Sequence, residues 1–205
     1  MITKEIIIET ATNLFMEHGV KTVTIAKLVK ELHTSKRTIY SHFEDKLALL
    51  NACLDVYNLK VCKENDEVIQ SSSNVLEAMG HLHQKIVRRS YSINPNFFGD
   101  IIHYYPGLLN ESYNRCDKYV HRQLIDLASA GIKDGIFLED LDVEVVGKTV
   151  IHLLKLLEDN RKFPITEFSK ERLTFGIMVP YLRGLCTTKG IKLLRIEEEL
   201  FRVSI

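Results

Sequence analysis

The chain has 205 residues, of which 45% are hydrophobic and 26% charged, so it is long enough to bury a substantial core. Its 27 basic and 27 acidic residues give a formal net charge of zero, which excludes a whole-surface attraction to nucleic acid. No apolar run approaches the roughly 20 residues that span a bilayer, and Glu9 and Asn13 interrupt the apolar start too early for a signal peptide, so we expect a cytoplasmic protein.

The cysteines and histidines show no spacing that is typical of a metal site. The four cysteines are scattered without a CxxC pair, so we expect buried thiols in a reducing compartment. His81 and His83 lie two residues apart and therefore on different sides of a helix. The sequence also lacks the patterns of catalytic triads, phosphate-binding loops and dinucleotide sites. We therefore expect no metal, no cofactor and no catalytic site.

Turn signals divide the chain into about nine predicted helices. Strict alternation of apolar and polar residues is hard to find, so we predict an all-α fold. Helix 1 is expected from about Thr3 to His18, where Gly19 ends it. A long helix 4 is expected over residues 45–65, and it connects an N-terminal domain of residues 1–46 to a C-terminal domain of residues 47–205.

Residues 24–46 have the pattern of two short helices joined by a tight turn. Thr24 is a suitable N-cap for the first helix, and apolar residues follow it at helical spacing. In the second helix Ile39 and Phe43 lie four residues apart and point inward, which leaves polar side chains on the outer face. A helix of about two turns that presents hydrogen-bond donors is typical of a recognition helix that enters the DNA major groove.

The stretch from Ser35 to Lys46, SKRTIYSHFEDK, resembles the helix-turn-helix of TetR-type (tetracycline-repressor-like) transcriptional regulators. That family's pattern runs Ser-x-x-Thr-Leu-Tyr-x-His-Phe, then two residues and Lys. The charge of residues 1–50 is nearly balanced, with seven Lys and Arg against six Asp and Glu, so it does not indicate DNA binding. The motif is the feature that predicts DNA binding. The resemblance implies that DNA is bound by the matching positions Thr24, Ser35, Lys36, Arg37, Thr38, Tyr40, Ser41, His42 and Lys46.

Two positions depart from the family's pattern. His33 stands where the family usually has the turn glycine, so we predict a left-handed backbone conformation at a histidine. Arg37 stands where the family has a small residue, so a long cation is expected to reach the DNA. By the same resemblance, bases or nearby DNA backbone are expected to be met by Lys36, Arg37, Thr38, Tyr40 and Ser41, and phosphates are expected to be held by Thr24, Tyr40, His42 and Lys46. Either Thr34 or Ser35 can cap the second helix.

The C-terminal domain is expected to hold helices 5 to 9. Asn74 and Glu77 have the spacing of a capping box at the start of helix 5, and Asp142 is a suitable cap for helix 8. Helix 9 is predicted from Thr166 to about Thr188. The tail of residues 191–205 is amphipathic, and the sequence does not say whether it docks.

Helices 8 and 9 are apolar over more than one stripe, so each must bury two faces. Leu153-Leu154 and Leu156-Leu157 break the single-face pattern of helix 8, and Ile177-Met178-Val179 does so in helix 9. One face meets the core of the chain, and the resemblance implies that the other meets a second copy in a four-helix homodimer interface. The alternative is a central core helix in a monomer.

An aromatic group flanks the short helix 6 and has two interpretations. Ordinary packing is one, and the wall of a mainly apolar pocket for a small-molecule effector is the other. The residues concerned are Phe97, Phe98, His103, Tyr104, Tyr105 and Tyr113.

The sequence thus predicts a homodimeric, DNA-binding transcriptional regulator, a repressor of a palindromic operator that a small-molecule effector releases. A helical-bundle enzyme or small-molecule carrier without DNA binding is the alternative. A DNA-binding protein without an effector is a third possibility.

Overall fold

The fold is all-α, as predicted. A computed structural model describes residues 2–94, 96–159, 162–164 and 166–202, with the side chains of residues 113–117 and 158 left undescribed. Its helices are α1 (Lys4–His18), α2 (Ile25–Glu31), α3 (Lys36–Tyr40), α4 (Lys46–Ser71), α5 (Val75–Ser92), α6 (Asn96–Tyr104), α7 (Leu108–Lys133), α8 (Val143–Glu158), α9 (Lys170–Leu173), α10 (Val179–Leu185) and α11 (Thr188–Ile196). A π-helical turn (Thr174–Met178) joins α9 to α10, and a 3-10 helix (Glu197–Phe201) follows α11.

The helices form two compact units. Unit 1 comprises residues 1–63 and 90–117, and unit 2 comprises residues 64–89 and 118–205. The helices α4, α5 and α7 each begin in one unit and end in the other. The DNA-binding domain that the sequence predicts, residues 1–46, lies within unit 1. Within the described residues, no helix has both the length and the apolar character needed to cross a membrane.

The core of unit 1 forms where α1 packs on the helix-turn-helix. The inward face of α1 is fully buried at Ile7, Ala11 and Phe15. Ile39 of α3 and Phe43, which lies just beyond the end of α3, join the same cluster, and both point inward as their spacing predicts. Burial of these apolar faces fixes α2 and α3 on α1 and leaves their polar faces outside.

Helix α6 is fastened to the end of α1 by polar contacts within unit 1. The amide N–H of Asn94 donates to the carbonyl of Met16 at 2.7 Å, and its side-chain Nδ2 donates to the carbonyl of Glu17 at 3.0 Å. One turn further along, the carboxylate of Asp100 accepts from the amide N–H of Lys21 at 2.6 Å. These bonds connect α6 to the turn that leads into the helix-turn-helix.

Unit 2 differs from the prediction at its last helices. The predicted helix 9 begins at α9 rather than at Thr166, because Ser169 caps it by accepting from the amide of Arg172 at 3.1 Å. It ends at Leu185, where Cys186 becomes extended and forms an isolated antiparallel bridge with Phe137. A separate helix, α11, then starts with Thr187 as its N-cap.

The C-terminal tail docks into the core of unit 2. Leu194 is buried and Phe201 is fully buried in the same cluster as α5, α7 and α8 residues. The side chain of Leu200 lies so close to Gly80 that an added Cβ there would come within 2.6 Å of it. Arg202 forms ion pairs with Glu171 at 3.2 Å and with Glu199 at 3.0 Å. The tail is therefore part of the domain core, a role that the sequence left open.

Candidate DNA-binding face and ligand cavity

The two helices of the helix-turn-helix begin at side-chain caps. The hydroxyl of Thr24 accepts from the amide of Lys27 at 3.2 Å, and the hydroxyl of Ser35 accepts from the amide of Thr38 at 3.1 Å. The cap of the second helix is thus Ser35 and not Thr34. Because each cap satisfies an N–H that the helix leaves unpaired, the sequence defines both starting points locally.

The turn between these helices is a Schellman motif centred on His33. Its backbone has φ 47°, the left-handed conformation that the sequence predicts, and it is the only non-glycine residue with positive φ in the described chain. The amide of His33 donates to the carbonyl of Lys30 at 3.3 Å, and that of Thr34 donates to the carbonyl of Val29 at 3.1 Å. These two bonds close α2 and redirect the chain into α3.

The outer face of α3 presents long polar side chains to solvent. Lys36, Arg37 and Tyr40 are exposed, with Tyr40 exposed to 51%. On the opposite side Ile39 is fully buried. Cationic donors beside an exposed aromatic ring are suited to phosphate oxygens and to the base edges of the major groove.

The smaller hydroxyls of the predicted DNA site are engaged within the helix itself. The Thr38 hydroxyl lies 2.9 Å from the Ser35 hydroxyl, and the Ser41 hydroxyl donates to the carbonyl of Thr38 at 2.8 Å. His42 is exposed just beyond the helix. The hydroxyls of Ser35, Thr38 and Ser41 therefore stabilise α3, whereas the longer side chains of Lys36, Arg37 and Tyr40 are exposed to solvent.

Lys46 makes structural contacts that the sequence did not indicate. Its Nζ donates to the carbonyl of Val20 at 2.5 Å and lies 5.7 Å from the centre of the Phe15 ring. Burial lowers the pKa of this ammonium group, while the charge of Asp100 opposes the shift. Lys46 thus ties the start of α4 to the turn after α1.

A mainly apolar cavity of about 70 Å³ lies within unit 2. It is lined by residues of α4, α5, α7, α8, the π-helical turn, α10 and the C-terminal 3-10 helix. Its polar lining residues are Asn65, His83 and Gln123. Its apolar lining residues are Met79, Leu82, Ile86, Val120, Leu124, Leu127, Val150, Leu154, Met178, Leu182 and Phe201.

His83 is the most deeply buried polar residue of this lining, at 6% exposure. Its Nε2 lies 3.0 Å from the hydroxyl of Thr174, which belongs to the π-helical turn. Its ring stacks on Phe201, with the ring centres 6.0 Å apart. Burial lowers the pKa of His83 to about 4, so the imidazole is neutral at pH 7.

Sequence reasoning missed this residue by considering it only as a metal ligand. The signal was available, because His83 continues the buried spacing of Leu76 and Met79 along α5. A histidine on the core face of a helix must find a partner within the core or remain unpaired.

The predicted aromatic group lies in unit 1, and none of its members with a described side chain lines the cavity. Phe97 is buried in the unit 1 core, and Phe98 packs edge-on against it at 5.0 Å between ring centres. Tyr105 is half-buried, and burial raises the pKa of its phenol. His103 and Tyr104 are exposed, and the side chain of Tyr113 lies outside the described residues.

The described cysteines are buried thiols. Burial raises the pKa of Cys53 to about 12 and that of Cys186 to about 11, so neither forms a thiolate at neutral pH. Cys62 is buried as well, and Cys116 lies outside the described side chains. Among the described residues, no group of three or more His, Cys, Asp and Glu has the arrangement of a metal site.

Comparison with known families supports the assignment of the helix-turn-helix. Residues 7–53 match the model of the family described as "Bacterial regulatory proteins, tetR family". These residues include α1, α2, α3 and the start of α4, which are the elements that build the exposed face of Lys36, Arg37 and Tyr40. No curated protein matches the chain.

Solved structures of TetR-type regulators share the fold. A TetR-family regulator from Cytophaga hutchinsonii has a TM-score of 0.71 at 17% identity, covering 92% of this chain and 100% of that one. A TetR regulator from Haloarcula marismortui has a TM-score of 0.69 at 18% identity, covering 88% and 96%. A γ-butyrolactone receptor has a TM-score of 0.66 at 17% identity, covering 97% and 96%. The N-terminal residues 7–53 are thus those of a tetR-family regulatory domain, and the chain as a whole has the fold of TetR-type regulators.

Proposed function

We propose that the protein is a homodimeric repressor that binds a palindromic operator and is released when a small molecule occupies the unit 2 cavity. The exposed face of α3 is the observation that carries the DNA-binding part. It offers Lys36, Arg37 and Tyr40 on a short helix. An N-terminal cap, the Schellman turn and a buried apolar face hold this helix in place. Thr38 and Ser41 are assigned to bases or the nearby DNA backbone, and Thr24, Ser35, His42 and Lys46 are assigned to contacts with the DNA backbone.

Dimerisation is proposed through α8 and the helix formed by α9, the π-helical turn and α10. On α8 Val145 is 57% exposed, and Leu153 and Leu156 are half-buried within the single chain. On the other helix Gly176 and Gly184 are exposed, and a Cβ added to either would meet no atom within 4 Å. Apolar and small residues on one face permit two helices to approach closely, so this face suits a second copy of the chain.

The effector is proposed to bind in the unit 2 cavity instead of at the aromatic group of α6. The cavity is concave, mainly apolar and supplied with a few polar groups, which are the features of small-molecule sites. One protein with this fold is a γ-butyrolactone receptor, and another is a ketosteroid transcriptional regulator. A ligand releases DNA only if it binds the DNA-free conformation more tightly than the DNA-bound one.

Selection of bound DNA from a random pool tests the proposal most directly. The expected result is an inverted repeat whose half-site centres lie about one helical turn apart, roughly 34–36 Å, because each recognition helix reads one half-site. The Arg37→Ala variant serves as the matched control in the same selection. Recovery of sequences without inverted symmetry would contradict the dimeric mode of binding.

A further inference from the structure

One nitrogen of the buried His83 ring has no hydrogen-bond partner among the described residues. This atom is Nδ1, and it is the only buried side-chain nitrogen or oxygen without a partner in the described part of the chain. Folded proteins pair such atoms almost without exception, and an unpaired one calls for an explanation. His83 is also one of the residues that line the cavity of unit 2.

The contacts of Thr174 define the hydrogen-bonding character of Nδ1. The Thr174 hydroxyl donates its single proton to the carbonyl of Lys170 at 2.9 Å. Toward His83 it therefore acts as an acceptor, and Nε2–H of His83 donates to it at 3.0 Å. In a neutral imidazole with its proton on Nε2, Nδ1 carries a lone pair and accepts. The unpaired atom is thus an acceptor that needs a donor.

The charge state of the site selects against anionic ligands. Burial holds the pKa of His83 at about 4, so the ring provides no positive charge at neutral pH. Among the described residues that line the cavity there is no Lys or Arg. A carboxylate or phosphate would lose its hydration here without gaining a counter-charge.

We propose that the unit 2 cavity binds a small, uncharged, mainly apolar molecule that carries a hydroxyl or N–H donor, and that this donor pairs with Nδ1 of His83. Only the treatment of this ligand as the effector rests on the proposed function. The apolar lining takes up the body of the molecule, and the His83 acceptor fixes its orientation. Thr174 is a positioning residue, because it holds the ring in the accepting tautomer.

Occupation requires movement of neighbouring side chains. The cavity of about 70 Å³ is smaller than the engineered apolar cavities of ~150 Å³ that hold benzene. Met79 and Met178 line it and have flexible side chains that adapt to a new shape. Phe201 stacks on His83 from the C-terminal tail, so a ligand that reaches Nδ1 is expected to displace this ring.

Three ring-sized probes of similar volume separate the possible interactions. Phenol carries a donor, toluene carries no polar group, and benzaldehyde carries an acceptor only. Their affinities for the full-length protein are measured at pH 7 by calorimetry. The quantity compared is the phenol-to-toluene affinity ratio, since the ratio removes the shared contribution of the ring. We expect this ratio to be about tenfold higher in the unmodified protein than in His83→Phe, which removes the acceptor but keeps a ring beside Phe201.

Two further variants separate the roles of His83 and Thr174. Thr174→Val preserves the shape of the side chain but no longer holds the proton of the His83 ring on Nε2. Phenol is therefore expected to lose its affinity advantage over toluene, and the affinity of benzaldehyde relative to toluene is expected to rise. Thr149→Val is the matched control, because Thr149 makes the same bond to the carbonyl four residues earlier, at 2.8 Å, without lining the cavity. His81→Phe, on the same helix but outside the lining, controls for His83→Phe.

Nitrogen NMR of the imidazole reports the protonation of Nδ1 directly. A purely structural role of His83 would not make this resonance respond to phenol. The Nδ1 resonance of His83 is expected to show an unprotonated nitrogen, and phenol but not toluene is expected to shift it. Protonation on Nδ1 would overturn the proposal, and so would equal phenol-to-toluene ratios in the unmodified protein and His83→Phe. Failure of all three probes to bind at millimolar concentration would overturn it too.

The outcome for DNA is scored separately, on selected operator. If phenol binds through His83 but leaves the DNA complex intact, the ligand site stands and release by an effector fails. If the protein binds operator but none of the probes, the ligand inference fails and DNA binding stands.

Discussion

Asp100 accepts a hydrogen bond from the backbone N–H of Lys21, 79 residues earlier in the chain, with the two atoms 2.6 Å apart. The bond joins α6 to the turn between α1 and α2. An added Cβ on Gly19, in the same turn, would come within 3.1 Å of the Asp100 carboxylate. The entry to the helix-turn-helix is thus held by a helix that is distant in sequence but belongs to the same unit.

Removal of this carboxylate is expected to weaken unit 1. Asp100→Ala leaves the Lys21 N–H without its partner, and since the site is exposed to water we expect a loss of about 1 kcal/mol. Asp100→Asn is the control, because its side-chain oxygen still accepts. Urea unfolding at pH 7 measures both variants. An equal loss in both would show that the negative charge near Lys46, and not the hydrogen bond, is what stabilises the unit.

The left-handed residue His33 provides a second prediction. At φ 47° a side chain is strained, so His33→Gly is expected to raise the free energy of unfolding by about 1 kcal/mol. Gly135 provides the reciprocal control: its φ is 65°, and a Cβ added there would meet nothing within 4 Å. Gly135→Ala is therefore expected to lose about the same amount through backbone strain alone. Thermal unfolding of the pair checks both values, and destabilisation by His33→Gly would contradict the account.

The helix-turn-helix was predictable because its signals are local. Thr24, Ser35 and the turn at His33 each act on backbone groups within five residues, and the periodicity of the apolar residues identified the buried face. The start of α4 at Lys46 agrees with the helix predicted from residue 45 for the same reason, since the side chain of Asp45 accepts from the amide of Ala48.

The contacts that define the ligand cavity were not predictable in this way. His83 and Thr174 lie 91 residues apart, and the burial of Phe201 depends on where the tail docks. Periodicity shows that a helix has an apolar face but not which helix covers it. The contact of Lys46 with the Val20 carbonyl is also a tertiary contact, between positions 26 residues apart. For the same reason the aromatic residues of α6 could not be assigned to a core or to a pocket from their composition.

The buried imidazole predicts loss of stability in mild acid. The pKa of His83 is about 4 in the folded chain, against an ordinary value of 6.5. Between these values the unfolded chain binds the proton and the folded chain does not, so stability falls as the pH drops from 6.5 toward 4. The loss is on the order of 3 kcal/mol. In His83→Phe this contribution is absent, so the difference in unfolding free energy between the two proteins should change across that window. A constant difference would show that His83 titrates normally.

The proposed dimer interface predicts different outcomes for two glutamate substitutions. Leu153 is half-buried in the single chain, so Leu153→Glu is expected to weaken the dimer by at least tenfold while the fold survives. Val179 is only 1% exposed and belongs to the unit 2 core, so Val179→Glu is expected to unfold the domain. Light scattering and circular dichroism separate these effects. A monomeric mass for the unmodified protein at micromolar concentration would contradict the interface.

The last prediction separates the reading of bases from the attachment to the DNA backbone. Arg37 is exposed on α3, and we propose that its guanidinium pairs with both acceptors of a guanine in the major groove. Arg37→Ala is therefore expected to cost about 1–3 kcal/mol on the selected operator and to relax the preference at one base pair in each half-site.

Lys46 should behave differently, and its structural contacts dictate the choice of variant. Lys46→Met keeps an apolar stem beside Phe15 but removes the charge and the bond to the Val20 carbonyl. If Lys46 also holds a phosphate, this variant binds all sequences more weakly, and the salt dependence of the affinity becomes shallower by about one counterion. Lys46→Arg, which keeps the charge, is the control, and the unfolding free energy of each variant corrects for the loss of the Val20 contact. Affinities on operator and scrambled DNA at several salt concentrations distinguish the two residues. If Arg37→Ala weakened both DNAs equally, Arg37 would be a phosphate contact, and specificity would have to come from Lys36, Thr38 and Tyr40.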